Sequence, residues 1–514
     1  MKSRVLYTGK NILWGYVSSM ITILLSFASR TAFIHTIGVE YLGINGLFTS
    51  VLGVLSLTEL GIGTAMNFSL YKPVAEADKE KIKSLMQLYK VAYRWIAIIV
   101  SILGISLLPF LNNLIKGADG IEHVKLYYFI FLFNTVSSYF VSYKYGLINA
   151  EQKNYVITNI TAVFNVVMNI VQIICLILFK NYILYLLLQV GFQLAQKIYM
   201  SLYINNKYAY LKDKKIDPLD EEEKKNIFKN VRALMFHKIG EISVNQTDNI
   251  IISAFINVMT VGMVSNYVLI ASTVNTFVNV IFNGMAGSLG NLFATEGKEK
   301  QFRVFKVMDF VGFWIFSFSS VAMLALVQPF ISLMWGEQYT LSMVVVSLFV
   351  LNNYMVGLRI SVNNIKVAGG IFDQDKYLAI IQSIVNLFIS VVLAQKVGLS
   401  GVYIGTIVSG LIPSLIRPYI VYKHLLERKA IQYYMSFLGR MILTATLAMI
   451  CCVVSNRIMV VMTWKAFFLD VIVIGTLPNI IYCVLYWRTE EFKYLFSKRI
   501  VSGCPQNILP ESHC

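Results

Sequence analysis

Apolar residues run through this chain in windows of about 20, separated by short clusters rich in Lys, Arg, Gly, Asn and Pro. At about 1.5 Å of rise per residue, one such window matches the hydrocarbon thickness of a bilayer. The pattern predicts about fourteen spanning helices, over residues 11–34, 43–70, 89–111, 124–148, 155–179, 182–204, 231–256, 262–290, 305–328, 342–366, 376–396, 400–422, 435–455 and 465–487. Several windows are interrupted by polar residues spaced three or four apart. Span one carries Ser19, Thr22, Ser26 and Arg30, and span two carries Thr49, Ser56, Glu59, Gly63 and Asn67. Span seven carries His237, Glu241, Asn245 and Asp248; span eight carries Ser272, Asn275, Asn279 and Asn283. Span ten carries Asn352, Arg359, Asn363 and Lys366. That spacing places each set on one face of its helix.

Composition agrees with the pattern. The 514 residues are 57% hydrophobic and 14% charged, with a mean hydropathy of +0.65, whereas a soluble chain carries about a quarter charged residues. The fold class expected is all-α and polytopic. The net charge of +17 does not point to nucleic acid, because the basic residues lie in short segments between spans rather than on one face. They follow the positive-inside rule, which places both termini and the segment 205–230 in the cytoplasm. Lys2, Arg4 and Lys10 precede an apolar stretch too long for a signal-peptide core, so it reads as the first span.

The segment NNKYAYLKDKKIDPLDEEEKKNIFKN, residues 205–230, is the longest hydrophilic stretch and reads as a linker. It divides a first lobe, residues 1–204, from a second, residues 231–422; residues 423–487 add two further spans and 488–514 form a tail. GVEYLGINGLF and TVGMVSNYVLI, and ELGIGTAM and FNGMAGSLG, hint at internal duplication. Duplicated bundles are the common plan of secondary transporters.

A charge at mid-membrane costs on the order of 2.5–3.5 kcal/mol, so it usually meets a partner or a wet cavity. Arg30, Glu59, Asp248 and Arg359 are the residues at issue, and Arg359 is the one Lys or Arg left inside a span. A single Ser or Asn more often glues helices together than binds a ligand, but stripes on five spans together can enclose a polar cavity. Arg30 and Arg359, at different depths, suit an anionic substrate, with Asn245, Asn279 and Asn363 as neutral hydrogen-bonding groups. Glu59 and Asp248 are candidates to carry a coupling proton or sodium ion. Glu59 has a second reading, as the neutralising partner of Arg30 or Arg359. The six cysteines lack metal-ligand or redox spacing. No glycine stands five residues before Gly9-Lys10 or Gly297-Lys298, so there is no ATP-binding loop. No GxSxG elbow, metal cluster or catalytic constellation occurs, and neither enzyme activity nor a cofactor is expected.

Several segments carry a family resemblance. SRTAFIHTIGVEYLGINGLF (29–48), LSLTELGIGTAMNFSLYKPVAEADKEKI (55–82), TDNIIISAF (247–255), VGMVSNYVLI (261–270), SLGNL (288–292), AGGIFDQDKY (368–377) and NLFISVVLAQKVGLSGVYIGTIVS (386–409) resemble bacterial polysaccharide flippases. These are the Wzx-like proteins of the multidrug/oligosaccharidyl-lipid/polysaccharide exporter superfamily. The resemblance covers residues 1 to 430 or so and implies two six-helix lobes plus two extra helices. It implies alternating-access transfer of an undecaprenyl-pyrophosphate-linked oligosaccharide from the cytoplasmic to the outer leaflet, for capsule, exopolysaccharide or O-antigen assembly. It also implies a bacterial cytoplasmic membrane, polysaccharide assembly proteins as partners, and a basic residue on the first helix, a role open to Arg30. A cation-coupled multidrug exporter of the same superfamily is the alternative, which the arginines disfavour. A membrane polysaccharide polymerase would need a large outer loop, and the predicted outer loops are short.

The charge asymmetry makes a direct prediction. Cysteine labels within residues 211–225 should react only from the cytoplasmic side and labels beside Gly336 only from outside, as membrane-impermeant maleimide would read. Opposite labelling would invert the topology.

Overall fold

Short polar side chains open the helices where the apolar windows begin. Asp78 accepts a hydrogen bond from the Lys81 amide (3.0 Å) and Asn181 from that of Leu184 (3.0 Å), each meeting an orphan donor of a first turn. The computed structural model describes residues 20–59, 61–117, 120–213, 218–371 and 373–496. In chain order its helices are α1 (Met20–Thr36), α2 (Val39–Leu55), α3 (Ile62–Ala75), α4 (Lys79–Ser106), α5 (Leu111–Leu114) and α6 (Val124–Ala150). Next come α7 (Asn154–Phe179), α8 (Tyr182–Lys207), α9 (Glu221–Ile251), α10 (Val258–Thr295), α11 (Lys298–Met334) and α12 (Met343–Leu358). The chain continues through α13 (Ile360–Ala368), α14 (Leu378–Val397), α15 (Leu399–Val421), α16 (Ile431–Ile458), α17 (Trp464–Tyr486) and α18 (Glu490–Phe496). Among the described residues there is no strand. Of their helical segments, 11 are long and apolar enough to cross a membrane, and α1 is a shorter apolar helix. The all-α, polytopic architecture expected from the apolar windows is the one adopted.

Three spans depart from the unbroken helices expected. Span two is divided: α2 ends in a 3-10 turn, Ser56–Glu59, and α3 starts after Gly61, whose φ of 77° is left-handed. Span ten is divided at Arg359 into α12 and α13. Span seven begins early, because α9 starts at Glu221 inside the expected linker. Glu221, Glu222 and Glu223 occupy its first turn, where acidic side chains complement the helix dipole. The same helix ends in a π turn, Ile252–Ile256. There the loop after α5 docks: Ser253 Oγ donates to Leu114 O (2.7 Å), and the Val258 amide donates to Lys116 O (2.9 Å).

The chain forms two compact units, Met1–Leu269 with Lys376–Ser409, and Ile270–Asp375 with Gly410–Cys514. In the first, α2 packs on α9 and α6, α7 pairs with α8, and α14 lies along α9. Phe33, Ile44, Leu47, Phe48 and Tyr128 are buried there. In the second, α11 is the central helix, with α12, α16 and α17 against it. Phe310, Phe313 and Phe316 pack with Tyr354 and Tyr482, beneath a hydroxyl network of Ser317, Thr444, Tyr354 and Tyr482. Outward faces carry rows such as Ile98, Ile102 and Ile105 of α4, and Ile472, Ile480 and Val484 of α17. Helices are suited to such surroundings because their backbone groups are satisfied internally.

Polar turns hold the helix ends of the first unit. Glu151, between α6 and α7, meets Lys153 at 2.7 Å and Lys207 at 3.7 Å. Burial opposes its charge, but hydrogen bonds from Lys153 and Tyr208, with the charges of Lys153 and Lys207, hold its carboxyl below the usual carboxylate range. Lys83 bridges Glu80 (2.8 Å) and Asp213 (3.2 Å).

Two glycines set the contact between α2 and α10 in the first unit. A Cβ on Gly43 would stand 1.9 Å from Val258 O, and one on Gly262 would stand 2.1 Å from Val39 O. Backbone cannot yield as a side chain can. Gly43→Val and Gly262→Val should therefore each destabilise by about 3 kcal/mol or more, the upper end for overpacking. Gly439→Val, at a position with nothing within 4 Å, should be near neutral. Melting curves of the purified variants in detergent check the contrast.

Candidate functional site

The polar side chains of the spans gather into separate constellations. The first surrounds Asp248 on α9, within the first unit. Gly401 and Gly405 let α15 approach α14 closely: a Cβ on Gly405 would stand 2.3 Å from Ser390 Oγ. That approach brings Ser390 Oγ to Val402 O (3.2 Å) and Asn386 Nδ2 to Thr406 Oγ1 (3.2 Å). Thr406 Oγ1 stands 3.1 Å from Asp248 Oδ2 and 3.0 Å from Val402 O. Its one proton can serve only one of these oxygens at a time. Asp248 Oδ1 is buried with no partner among the described residues, and Thr247 Oγ1 lies 3.3 Å from Asn386 Oδ1. The result is one carboxylate among hydroxyl, amide and carbonyl oxygens, the donor set a hard monovalent cation or a proton requires.

The second constellation lies in the second unit, at the break between α12 and α13. Arg359 is only 7% exposed. Its Nη1 donates to Gly410 O at 3.3 Å, and its Nε has no partner among the described residues. One turn on, Asn363 Oδ1 accepts from Arg417 Nη1 (3.1 Å). Arg417 Nε and Lys366 Nζ both reach Asp375 Oδ2, at 3.1 and 2.5 Å, and the Asp375 side chain is fully buried. Two cations thus share one carboxylate. Breaking such a buried pair by removing one partner costs about 3–5 kcal/mol, so Asp375 fixes Arg417 and Lys366 in place. The positive excess left over lies with Arg359.

Arg30, on α1, donates from Nη1 to Ser265 Oγ (2.7 Å) and Asn266 Oδ1 (3.4 Å) on α10, both neutral. Glu59 accepts from Tyr93 Oη at 2.7 Å and forms no ion pair among the described residues. Of its two expected roles, neutralising an arginine is therefore not what the geometry displays. A cavity of about 440 Å³ opens beside it, lined by Ser56, Glu59, Gly61, Gly63, Thr64, Met66, Asn67, Tyr93, Ser142, Tyr145, Gly146 and Asn149. The helix break redirects the span-two stripe, yet Glu59, Gly63 and Asn67 still share this one cavity.

Asn279 is exposed on α10, while Asn275 Nδ2 on the same helix lies 3.4 Å from Asn353 Oδ1. The side chains of Asn245, His237, Glu241 and Asn283, and residue Ser19, lie outside the described residues.

The reading of Arg359 as the one basic residue within a span needs correction. Lys197, well inside α8, donates to Asn134 O (2.8 Å), Asn134 Oδ1 (2.9 Å) and Ser137 Oγ (2.8 Å) of α6. Lys144 of α6 donates to Ser201 Oγ (2.6 Å) and Asn205 Oδ1 (2.9 Å) of α8. Both look like helix-end charges when spans are counted by hydropathy alone. Arg417 escapes notice for the same reason, although it stands between Pro413 and Pro418 in an otherwise apolar run. Asn386 and Thr406 carry no charge, and only their place inside apolar windows could have drawn attention to them.

This arrangement of helices is known from solved transporters. A structure titled lipid II flippase MurJ, inward closed conformation, matches with a TM-score of 0.62 and 17% identity, covering 93% of this chain and 99% of that one. An inward-facing multidrug resistance MATE family transporter of the MOP superfamily matches with a TM-score of 0.58 and 16% identity, over 83% and 95% of the two chains. A mutant of the Vibrio cholerae MATE transporter VcmN gives 0.51 and 15%, over 81% and 97%. No family model and no curated protein matches the chain. At such identities the likeness is one of fold, and that fold is the one MATE transporters and a lipid flippase share.

Proposed function

We propose that this protein is a transporter that flips a polyprenyl-pyrophosphate-linked oligosaccharide, of the undecaprenyl type, from the cytoplasmic to the outer leaflet by alternating access. The glycan would serve capsule, exopolysaccharide or O-antigen assembly in a bacterial cytoplasmic membrane, with both termini cytoplasmic and polysaccharide assembly proteins as partners. The observation that carries the reading is the buried, under-bonded guanidinium of Arg359 beside Arg417 and Lys366, which share one carboxylate. A cationic excess of this kind is offset by an anion, and arginine can grip phosphate oxygens with two parallel hydrogen bonds. Arg30, bonded only to neutral groups in its surroundings, keeps an uncompensated charge for the same substrate. Asn363 holds Arg417 and so orients the site.

The oxygen set around Asp248 supports it as the residue that takes the coupling cation. With a cation bound, Asp248, Thr406 and Val402 would no longer compete for one hydroxyl proton. The chain works on no covalent bond in this reading.

A cation-coupled multidrug exporter is the second reading, favoured by the MATE structures and by the acidic cavity at Glu59. Transfer in proteoliposomes separates the two, with lipid-linked oligosaccharide in one set and ethidium in the other. Normalised to folded protein, Arg359→Ala should lose nearly all oligosaccharide transfer and Arg359→Lys should keep part, because lysine supplies charge without the bidentate fork. Asp248→Asn should fold but lose its dependence on an imposed sodium or proton gradient, and the gradient that matters in the parent names the ion. Parental transfer by Arg359→Ala, or ethidium transport without oligosaccharide transfer, would end the flippase reading.

A further inference from the structure

The cavity between α3, α4 and α6 has chemistry that neither the arginines nor Asp248 explains. Its polar lining consists of one carboxylate, several hydroxyls and two side-chain amides. Glu59 is fixed by the Tyr93 hydroxyl at 2.7 Å. Ser142 donates to Ser138 O (2.9 Å) and Ser56 to Gly53 O (2.6 Å), which leaves both hydroxyls free to accept. Among the described residues no Lys, Arg or His lines it. Gly63 packs against the Tyr93–Glu59 pair, where a Cβ would stand 3.0 Å from Tyr93 Oη and 3.2 Å from Glu59 Oε1. At about 440 Å³ it is far larger than a bare ion needs and falls in the range of small-molecule sites.

A site with one carboxylate, hydroxyl and amide groups and no base suits a ligand that donates several hydrogen bonds and carries no negative charge. Sugar hydroxyls do this, a carboxylate accepting from two neighbouring hydroxyls and amide oxygens from others. Tyr145, which is less buried than Tyr93, adds a ring for the apolar face of a pyranose. The cavity also reaches from the break at Glu59 to Asn149, one residue from the end of α6, and so extends to one end of the unit. We propose that it is a sugar subsite that accepts a neutral or amino-bearing hexose and rejects a uronic acid. The inference rests on the reading of the protein as a carrier of lipid-linked glycan, and it assigns the sugar rather than the pyrophosphate to Glu59.

The test is calorimetric, on the full chain in nanodiscs, with methyl glycosides of the gluco, galacto and manno series as neutral sugars, 2-amino sugars and uronates. In at least one series the neutral and amino forms should bind and the uronate should bind at least about tenfold more weakly, since facing like charges are penalised in a desolvated site. Glu59→Gln should remove that discrimination. Thr64→Trp, which places an indole in the cavity, should abolish binding of all forms while the protein keeps its melting temperature. Equal binding of the uronate by the parent, unchanged binding by Thr64→Trp, or a response to sodium alone would overturn the proposal, as would no binding in any series. The parallel transfer assay keeps the two readings apart. Sugar binding without oligosaccharide transfer leaves the subsite standing and fells the flippase; transfer at the parental rate by Thr64→Trp fells the subsite alone.

Discussion

Because a bilayer core offers neither donor nor acceptor, each polar group buried in this chain must find its partner on a neighbouring helix, and one left unmet costs several kcal/mol. Most are met in full. Lys197 has three acceptors for three N–H groups, Asp309 pairs with Arg440, and Ser317, Thr444, Tyr354 and Tyr482 close a hydroxyl network. These groups hold helices together. Among the described residues some atoms are not met, including the Nε of Arg359, Oδ1 of Asp248, of Asp375 and of Asp470, the amide oxygens of Asn67, Asn149 and Gln301, and the hydroxyl of Tyr89.

Three of the candidate site residues lie at or near departures from regular helix. Glu59 closes a 3-10 turn, Arg359 separates α12 from α13, and Asp248 stands four residues before a π turn. An interrupted helix frees backbone groups and turns side chains off the stripe that a regular helix would present. In membrane transporters such breaks are tolerated where they are enclosed in protein or line a cavity. Close glycine contacts make the remaining geometry possible. Gly401 and Gly405 draw α15 onto α14 and so set Thr406 beside Asp248, while Gly63 leaves room for the Tyr93–Glu59 bond.

Charge balance then distinguishes the constellations. Beside Arg359, Arg417 and Lys366 share the one carboxylate of Asp375; around Asp248 and in the Glu59 cavity a lone carboxylate faces neutral groups among the described residues. Each imbalance is one that a ligand of opposite character would offset.

The apolar windows determined the fold class, because a stretch of about 20 residues without charges has few alternatives to a spanning helix. The three- and four-residue steps also singled out Arg30, Glu59, Asp248 and Arg359 as residues of polar stripes. Periodicity says which face a side chain shares, but it is silent on what stands opposite. Tertiary structure therefore decided that Glu59 meets Tyr93 rather than an arginine, that Asp375 of the α13–α14 segment reaches Arg417, and that Asn386 and Thr406 belong to Asp248. It also decided where the helices break, since Gly61 is permissive of a helix end without dictating one. Lys144, Lys197 and Arg417 resemble interfacial charges by position alone, and only the packing of α6 on α8, and of Arg417 toward Asn363 and Asp375, brings them inside.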